Sequence, residues 1–229
     1  MKRHLFLVSI LSVAIIALFA SCEIDNYDGP DATITGSVID NATGKPIITE
    51  PYGFRIRMDE TSWSDNPTAR YIQGYIDGSF TDKTYFAGTY VATALDGAFV
   101  NSAPQTVQVN SKGTTTITFN VNPYVHFTNV AIVKDGANVK ATFTMIKYVS
   151  TGNPMYYAVI ANNKTPFFGM SNYQVSTGRL TLTESDFNVP KEFTITGFTP
   201  GTKYYLRVAA YCENSTGRYN YTEVVEIQM

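Results

Sequence analysis

From about Asp31 onward the chain alternates apolar and polar residues over short runs, with Gly, Asn, Asp and Pro between them. A side-chain period of two marks a strand with one face buried. Ile34, Gly36 and Val38 alternate with Thr33, Thr35 and Ser37, and Phe54, Ile56 and Met58 oppose Arg55 and Arg57. Further strands are predicted around Arg70–Ile76, Tyr85–Thr93, Gln105–Val109 and Thr115–Val121. Asp77-Gly78-Ser79-Phe80 reads as a tight turn that returns an aromatic ring to the core. A slip of one residue in any strand would turn its apolar set into water, so the alternation also specifies register. No segment carries the 3.6-residue period of an amphipathic helix of useful length.

The pattern restarts in the second half. Val139, Ala141, Phe143 and Met145 alternate with Lys140, Thr142 and Thr144. Asn122-Pro123 is expected to act as a hinge, because proline biases the residue before it towards extended backbone. The predicted fold is all-β: two tandem β-sandwiches of short antiparallel strands, over residues 31–122 and 123–229. The run from Phe193 to Tyr211 contains Phe198-Thr199-Pro200-Gly201-Thr202-Lys203-Tyr204. It is similar to the E–F corner of a fibronectin type III domain, where a Pro-Gly turn reverses the chain and a tyrosine opens the next strand. There the Tyr204 hydroxyl is expected on upstream backbone.

The N-terminus is of another kind. Lys2 and Arg3 precede an apolar run from Leu5 to Ala20, and Phe19-Ala20-Ser21 leads into Cys22. A basic start, an apolar stretch too short to span a bilayer comfortably and small residues before a cysteine describe a lipoprotein signal. Residues 1–21 are expected to be removed and Cys22 acylated, with residues 22–30 as a tether. Each buried methylene contributes roughly 0.8 kcal/mol, so several acyl chains make a stable membrane anchor. The acidic run Glu23-Ile24-Asp25-Asn26-Tyr27-Asp28 resembles the export signal of Bacteroidetes surface lipoproteins. The expected address is therefore the outer membrane, on its cell-surface face.

Charge and composition narrow the function classes. The formal charge of the full chain is −2, and loss of Lys2 and Arg3 takes the mature chain to −4. No basic patch is present, so a nucleic-acid partner is not expected. After processing, one histidine (His126) and one cysteine besides Cys22 (Cys212) remain. That is too few for an ordinary zinc site, and no metal or cofactor is expected. Cys212 ends an apolar strand and reads as a small buried hydrophobe. His126 reads as a partly buried structural histidine in Tyr124-Val125-His126-Phe127-Thr128. No Gly-x-Ser-x-Gly elbow or phosphate-cradling loop occurs. Asp59-Glu60 and Glu184-x-Asp186 are the nearest carboxylate pairs, and a glycoside hydrolase built on such a pair is the least favoured reading.

Aromatic residues are abundant, with 16 Tyr, 14 Phe and one Trp, and they carry the candidate chemistry. Sugars present apolar C–H faces and hydroxyl rims, so their binders combine an exposed ring with hydrogen-bonding side chains. Trp63 lies in a polar turn-forming loop, Thr61 to Pro67, either as a lid on the local core or as an exposed platform. Tyr71 and Tyr75 would widen such a platform, with Asp65, Asn66 and Gln73 as polar partners. A second candidate is the loop Thr165-Pro166-Phe167-Phe168-Gly169-Met170, where Phe167, Phe168 and Met170 form either a partner surface or an inward-tucked cap.

One family shares the order of these features. Cys22 to Ala32, the Gly36-Ser37-Val38-Ile39-Asp40 strand and the Thr43-Gly44-Lys45-Pro46 turn are followed by Asp77-Gly78-Ser79-Phe80, Phe86-Ala87-Gly88-Thr89-Tyr90, Gly97-Ala98-Phe99 and Asn122-Pro123-Tyr124. The mature chain resembles the Bacteroidetes lipoprotein family of domain of unknown function 3823. The resemblance implies a prealbumin-like (carboxypeptidase-regulatory-like) first sandwich and an immunoglobulin- or fibronectin III-like second one. It also implies a gene neighbourhood with a TonB-dependent transporter and a glycan-binding lipoprotein, a SusC/SusD-like transporter complex. It names no catalytic residues. The expected function is that of a non-enzymatic accessory lipoprotein of a polysaccharide-uptake locus, binding glycan or docking on the transporter. A structural or adhesin-like surface protein is the alternative.

Overall fold

The computed structural model describes residues 29–213 and 216–229; the signal segment, Cys22 and the acidic run after it lie outside these residues. The first domain contains β1 (Ala32–Asp40), β2 (Arg55–Glu60), β3 (Arg70–Gln73), β4 (Ser79–Tyr85), β5 (Gly88–Leu95), β6 (Phe99–Val100), β7 (Gln105–Val109) and β8 (Thr114–Pro123). They form two sheets, β4-β1-β8-β6 and β3-β2-β5-β7. The inward alternates meet between the sheets: Ile34, Val38, Phe80 and Phe119 from one, Ile56, Met58, Ile72 and Ala92 from the other.

Alternation does not report strand direction, and here it misled. The expected all-antiparallel pattern breaks at β1 and β8, which run parallel, with Val38 opposite Phe119. These are the first and last long strands of the domain, and the whole domain serves as their crossover. Gly36 sits at this seam. A Cβ there would lie 1.9 Å from the Ile117 carbonyl oxygen, so the close approach of the two strands requires glycine. The predicted Tyr85–Thr93 strand is two strands, broken at Phe86-Ala87, and the predicted Arg70–Ile76 strand ends at Gln73.

The second domain contains β9 (Val125–Asp135), β10 (Asn138–Lys147), β11 (Pro154–Asn162), β12 (Val175–Ser176), β13 (Leu180–Thr181), a 3-10 turn (Glu184–Asp186), β14 (Pro190–Ile195), β15 (Lys203–Cys212), β16 (Asn220–Tyr221) and β17 (Val225–Gln228). One sheet is β14-β10-β9; the other is β12-β11-β15-β16, with β13 on β11 and β17 on β15. This order fits an immunoglobulin/fibronectin-like sandwich. At the corner before β15 the Thr199 backbone N–H donates to the Tyr204 hydroxyl oxygen at 3.2 Å, and the Phe198 ring stands edge-on to Tyr204 at 4.9 Å. The chain is thus two tandem β-sandwiches.

Asn122-Pro123 is not a hinge. Both residues belong to β8, where they pair with Val100 and Phe99, and only Tyr124 separates β8 from β9. Asn220 clamps the joint: its side chain donates to the Ala98 carbonyl at 2.9 Å and accepts from the Val125 N–H at 3.0 Å. Arg207, on the outer face of β15, has 0 % of its surface exposed. It donates to the Thr49 carbonyl of the first domain at 2.8 Å and to the Phe168 carbonyl. Beside it, Glu50 of the first domain accepts from Arg218 at 3.0 Å and from the Tyr221 hydroxyl at 3.1 Å. Buried polar groups paired across a boundary resist separation, because parting them forfeits all these bonds at once.

Candidate functional site

The outer face of β3-β2-β5-β7 carries two of the six predicted glycan residues, Tyr71 and Gln73, and the loop between β2 and β3 carries three more. Because Ile56, Met58 and Ile72 point inward, their neighbours Arg55, Arg57, Tyr71 and Gln73 point out. Tyr71 is a half-open ring with the Arg55 guanidinium over it at 4.3 Å. Arg55 Nε is in turn held by Asp96 at 2.7 Å. Trp63 stands on the loop between β2 and β3 with 78 % of its surface exposed, so it is a platform and not a lid.

The Trp63 loop is tied down close to the indole. The Thr89 N–H donates to Ser62 Oγ at 2.6 Å, the Ser62 N–H donates to Glu60 Oε1 at 2.9 Å, and the Asn66 N–H donates to Ser64 Oγ at 3.1 Å. Each such bond lowers the entropy cost of ordering the loop when a ligand stacks on the ring. Asp65 and Asn66 are exposed on the same loop. Tyr75 does not join this group. It is exposed but lies past the far end of β3 from the Trp63 loop, about 13 Å along the strand from Tyr71 at ~3.3 Å per residue. Five of the six predicted residues thus lie on the β2–β3 loop and on β3, Tyr75 stands apart, and the six do not form a single pocket.

The second predicted surface is corrected in part. Phe167 is 60 % exposed at its loop tip, but Phe168 is fully buried and Met170 half-buried. Asn162 forces the tuck. Its Oδ1 accepts the N–H groups of Lys164 and Thr165 at 2.8 and 3.1 Å, and its Nδ2 donates to the Asn172 carbonyl at 2.6 Å. The loop closes on itself and drives Phe168 onto Ala158, Ile160 and Ala209, under Arg207. The Met170 N–H is spent on the Tyr221 hydroxyl at 3.1 Å. Of the three side chains only the Phe167 ring remains exposed.

Sequence reasoning missed a third feature. A cleft of about 610 Å3 opens between the two domains. Its apolar floor includes Ile47, Val125, Phe127 and Val225, and Lys45, Asp77 and Glu223 stand at it with the Asp40–His126 pair. His126 Nδ1 lies 2.9 Å from Asp40 Oδ2, and Asp40 also accepts from the Ala42 N–H at 2.9 Å and the Thr43 hydroxyl at 3.0 Å. The histidine is thus part of the joint, wedged edge-on against Tyr148 at 4.7 Å, with its Nε2 unpartnered among the described residues. No single stretch of sequence signals this cleft, since its residues come from four distant segments.

The carboxylate pairs do not line this cleft. Asp59 is engaged by Arg57 at 3.0 Å and Glu184 by Lys147. Asp186 accepts from Lys191 at 2.7 Å and from Thr183, and these bonds, that from Lys191 foremost, hold its carboxyl down at about 2. Among the described residues no group of three or more His, Cys, Asp or Glu side chains is placed to hold a metal ion. Cys212 is buried, and burial pushes its thiol up to about 11.

Residues 32–122 match the family described as protein of unknown function (DUF3823) N-terminal domain. No curated protein matches the chain. Among solved structures, the chain is similar to a "putative carbohydrate binding protein" from Bacteroides uniformis, with 22 % identity, 88 % of this chain and 100 % of that one covered, and a TM-score of 0.71. It is also similar to a DUF3823 family protein from Bacteroides uniformis (22 % identity, 87 % and 100 % covered, TM-score 0.73). A third is a DUF3823 family protein from Bacteroides ovatus (18 % identity, 86 % and 99 % covered, TM-score 0.72). At these identities the likeness is one of fold, and it extends over both domains.

Proposed function

We propose, for a chain whose residues 32–122 belong to the DUF3823 N-terminal domain family, that the protein is a non-catalytic, lipid-anchored surface protein that binds carbohydrate. The observation that carries this reading is Trp63, a large ring left open to solvent on a loop anchored beside it through Ser62. An indole face stacks on the C–H face of a pyranose, and Asp65, Asn66, Gln73 and Arg57 stand on the same loop and sheet face to meet hydroxyls. The description of one structural relative as a putative carbohydrate binding protein supports the same ligand class. Cys22 supplies the anchor, and the acidic residues after it send the protein to the cell surface of the outer membrane. There it serves as an accessory component of polysaccharide uptake. The exposed Phe167 favours a second role, docking on a transporter complex through the tip of its loop.

The test is retention on glycan affinity gels. Trp63→Ala weakens retention by about tenfold, taking the loss of one buried aromatic contact at the ~1–3 kcal/mol measured for bases stacked on aromatic side chains. The melting temperature stays nearly unchanged, because an exposed ring contributes little to stability. Retention equal to that of the unaltered protein removes the site.

A further inference from the structure

We infer that the cleft between the two domains is a second binding site, for the end of a neutral saccharide. Its ligand class rests on the carbohydrate reading above; its location and its residues do not depend on Trp63. A volume of about 610 Å3 falls within the ~300–1,000 Å3 of small-ligand sites, and domain boundaries are where such sites concentrate. The cleft is also preorganised. The Asn220 clamp, the Arg207 bond to Thr49 and the Asp40–His126 contact hold its two walls in place, so a ligand need not order them.

The lining fits a saccharide in two respects. Ile47, Val125, Phe127 and Val225 give a floor for C–H faces. Lys45, Asp77 and Glu223 line it, and none of the three takes part in an ion pair among the described residues; Asp77 Oδ1 already accepts from the Ser79 N–H and hydroxyl, which leaves its Oδ2 for a ligand. A carboxylate only accepts hydrogen bonds and an ammonium only donates them, whereas a hydroxyl does both. A ligand dense in hydroxyls therefore satisfies both kinds of group, and hydrogen bonds to charged partners are the stronger class. The sign of the lining selects a neutral ligand. Asp40, Asp77 and Glu223 oppose a uronate or phosphate, and among the described lining residues Lys45 is the one ammonium or guanidinium group set against them.

The experiment is an NMR titration of the mature chain with maltose, cellobiose, xylobiose, mannobiose and galactobiose, alongside glucuronic acid. At least one neutral disaccharide is expected to shift the amides of Lys45, Ile47, Ile48 and residues 125–127, and glucuronic acid is expected to shift none. Glu223→Gln and Lys45→Ala, both at exposed positions, should each weaken that disaccharide by about tenfold, the scale of one charged hydrogen bond. Three results overturn the inference: no disaccharide binding at 10 mM, preferred binding of glucuronic acid, or binding lost in Trp63→Ala and intact in Glu223→Gln. The last of these leaves the surface reading standing. Loss of gel retention in Trp63→Ala together with no disaccharide binding likewise overturns the cleft alone.

Discussion

Two arginines on outward strand positions stack on aromatic rings, one in each domain, and their surroundings differ completely. Arg55 lies over Tyr71 at 4.3 Å on a sheet face where both side chains stay about two-fifths exposed. Arg207 lies 3.8 Å from the Tyr221 ring centroid and 5.1 Å from that of Phe168, on a face covered by the Phe168 loop and by the Thr49-Glu50 segment of the first domain. An exposed cation–π contact is worth roughly 0.5–1 kcal/mol and a desolvated one about 2 or more. The covered guanidinium also carries a desolvation cost, which pulls its ionisation down to about 10 yet leaves it charged at neutral pH. It recovers that cost only where carbonyl oxygens meet its N–H groups, and one of those carbonyls belongs to the other domain. The same residue type on the same kind of face thus stays partly open to solvent in one domain and fixes domain placement in the other.

The sharpest way to break the comparison is Arg207→Ala. It removes two donors from buried carbonyls, empties the space between two rings and unseats the first domain. Loss of one partner from a buried charged contact costs about 3–5 kcal/mol, and the expected change is at the lower end because no carboxylate is left bare. Urea unfolding followed by tryptophan and tyrosine fluorescence measures it. A loss below about 1 kcal/mol would mean that Arg207 merely fills space.

Next in size is Glu50→Gln. Both carboxylate oxygens are used, one by Arg218 and one by Tyr221, and the side chain is nearly buried. Burial above all, and then the charge of Glu50, push the Tyr221 hydroxyl far above its ordinary value, so it remains a donor at every accessible pH. Gln keeps one acceptor but turns a donor towards Arg218 or Tyr221. The cost is about 1–2 kcal/mol, read from the same unfolding curves. A stability equal to that of the unaltered chain would show that the Glu50 contacts form without contributing.

How far the sequence foretold this contrast follows from the physics of each position. Strand alternation is local, so the inward set Phe54, Ile56 and Met58 and the outward set Arg55 and Arg57 were legible, as was the Tyr204 corner. Leu206-Arg207-Val208 has the same local pattern, and so Arg207 reads as another outward arginine. What buries it is a carbonyl 158 residues away, which no periodicity can report. Phe167 and Phe168 were indistinguishable for the same reason: in a loop, the Asn162 bonds decide which ring turns in. The parallel pairing of β1 with β8 left no trace either, since side-chain period is blind to strand direction. Among the candidate residues, the exposure of Trp63 fits its polar turn-rich loop, while the cleft depends on segments joined only by the docking of the two domains.

The smallest expected effect falls on the open stack. Arg55→Ala removes the guanidinium over Tyr71 and its bond to Asp96, but Arg55 and Asp96 side chains are 40 % and 31 % exposed. Solvent screens the ion pair, and exposed pairs of this kind contribute a median of about 0–1 kcal/mol. The predicted loss of stability is therefore about 0.5 kcal/mol, several times below that for Arg207→Ala under identical conditions. Retention on a glycan gel should change more than stability does, because Tyr71 loses the group that holds its ring in place beside the Trp63 loop. A stability loss matching that of Arg207→Ala would abolish the distinction between the two faces, since it would mean that an uncovered stack contributes as much as a covered one.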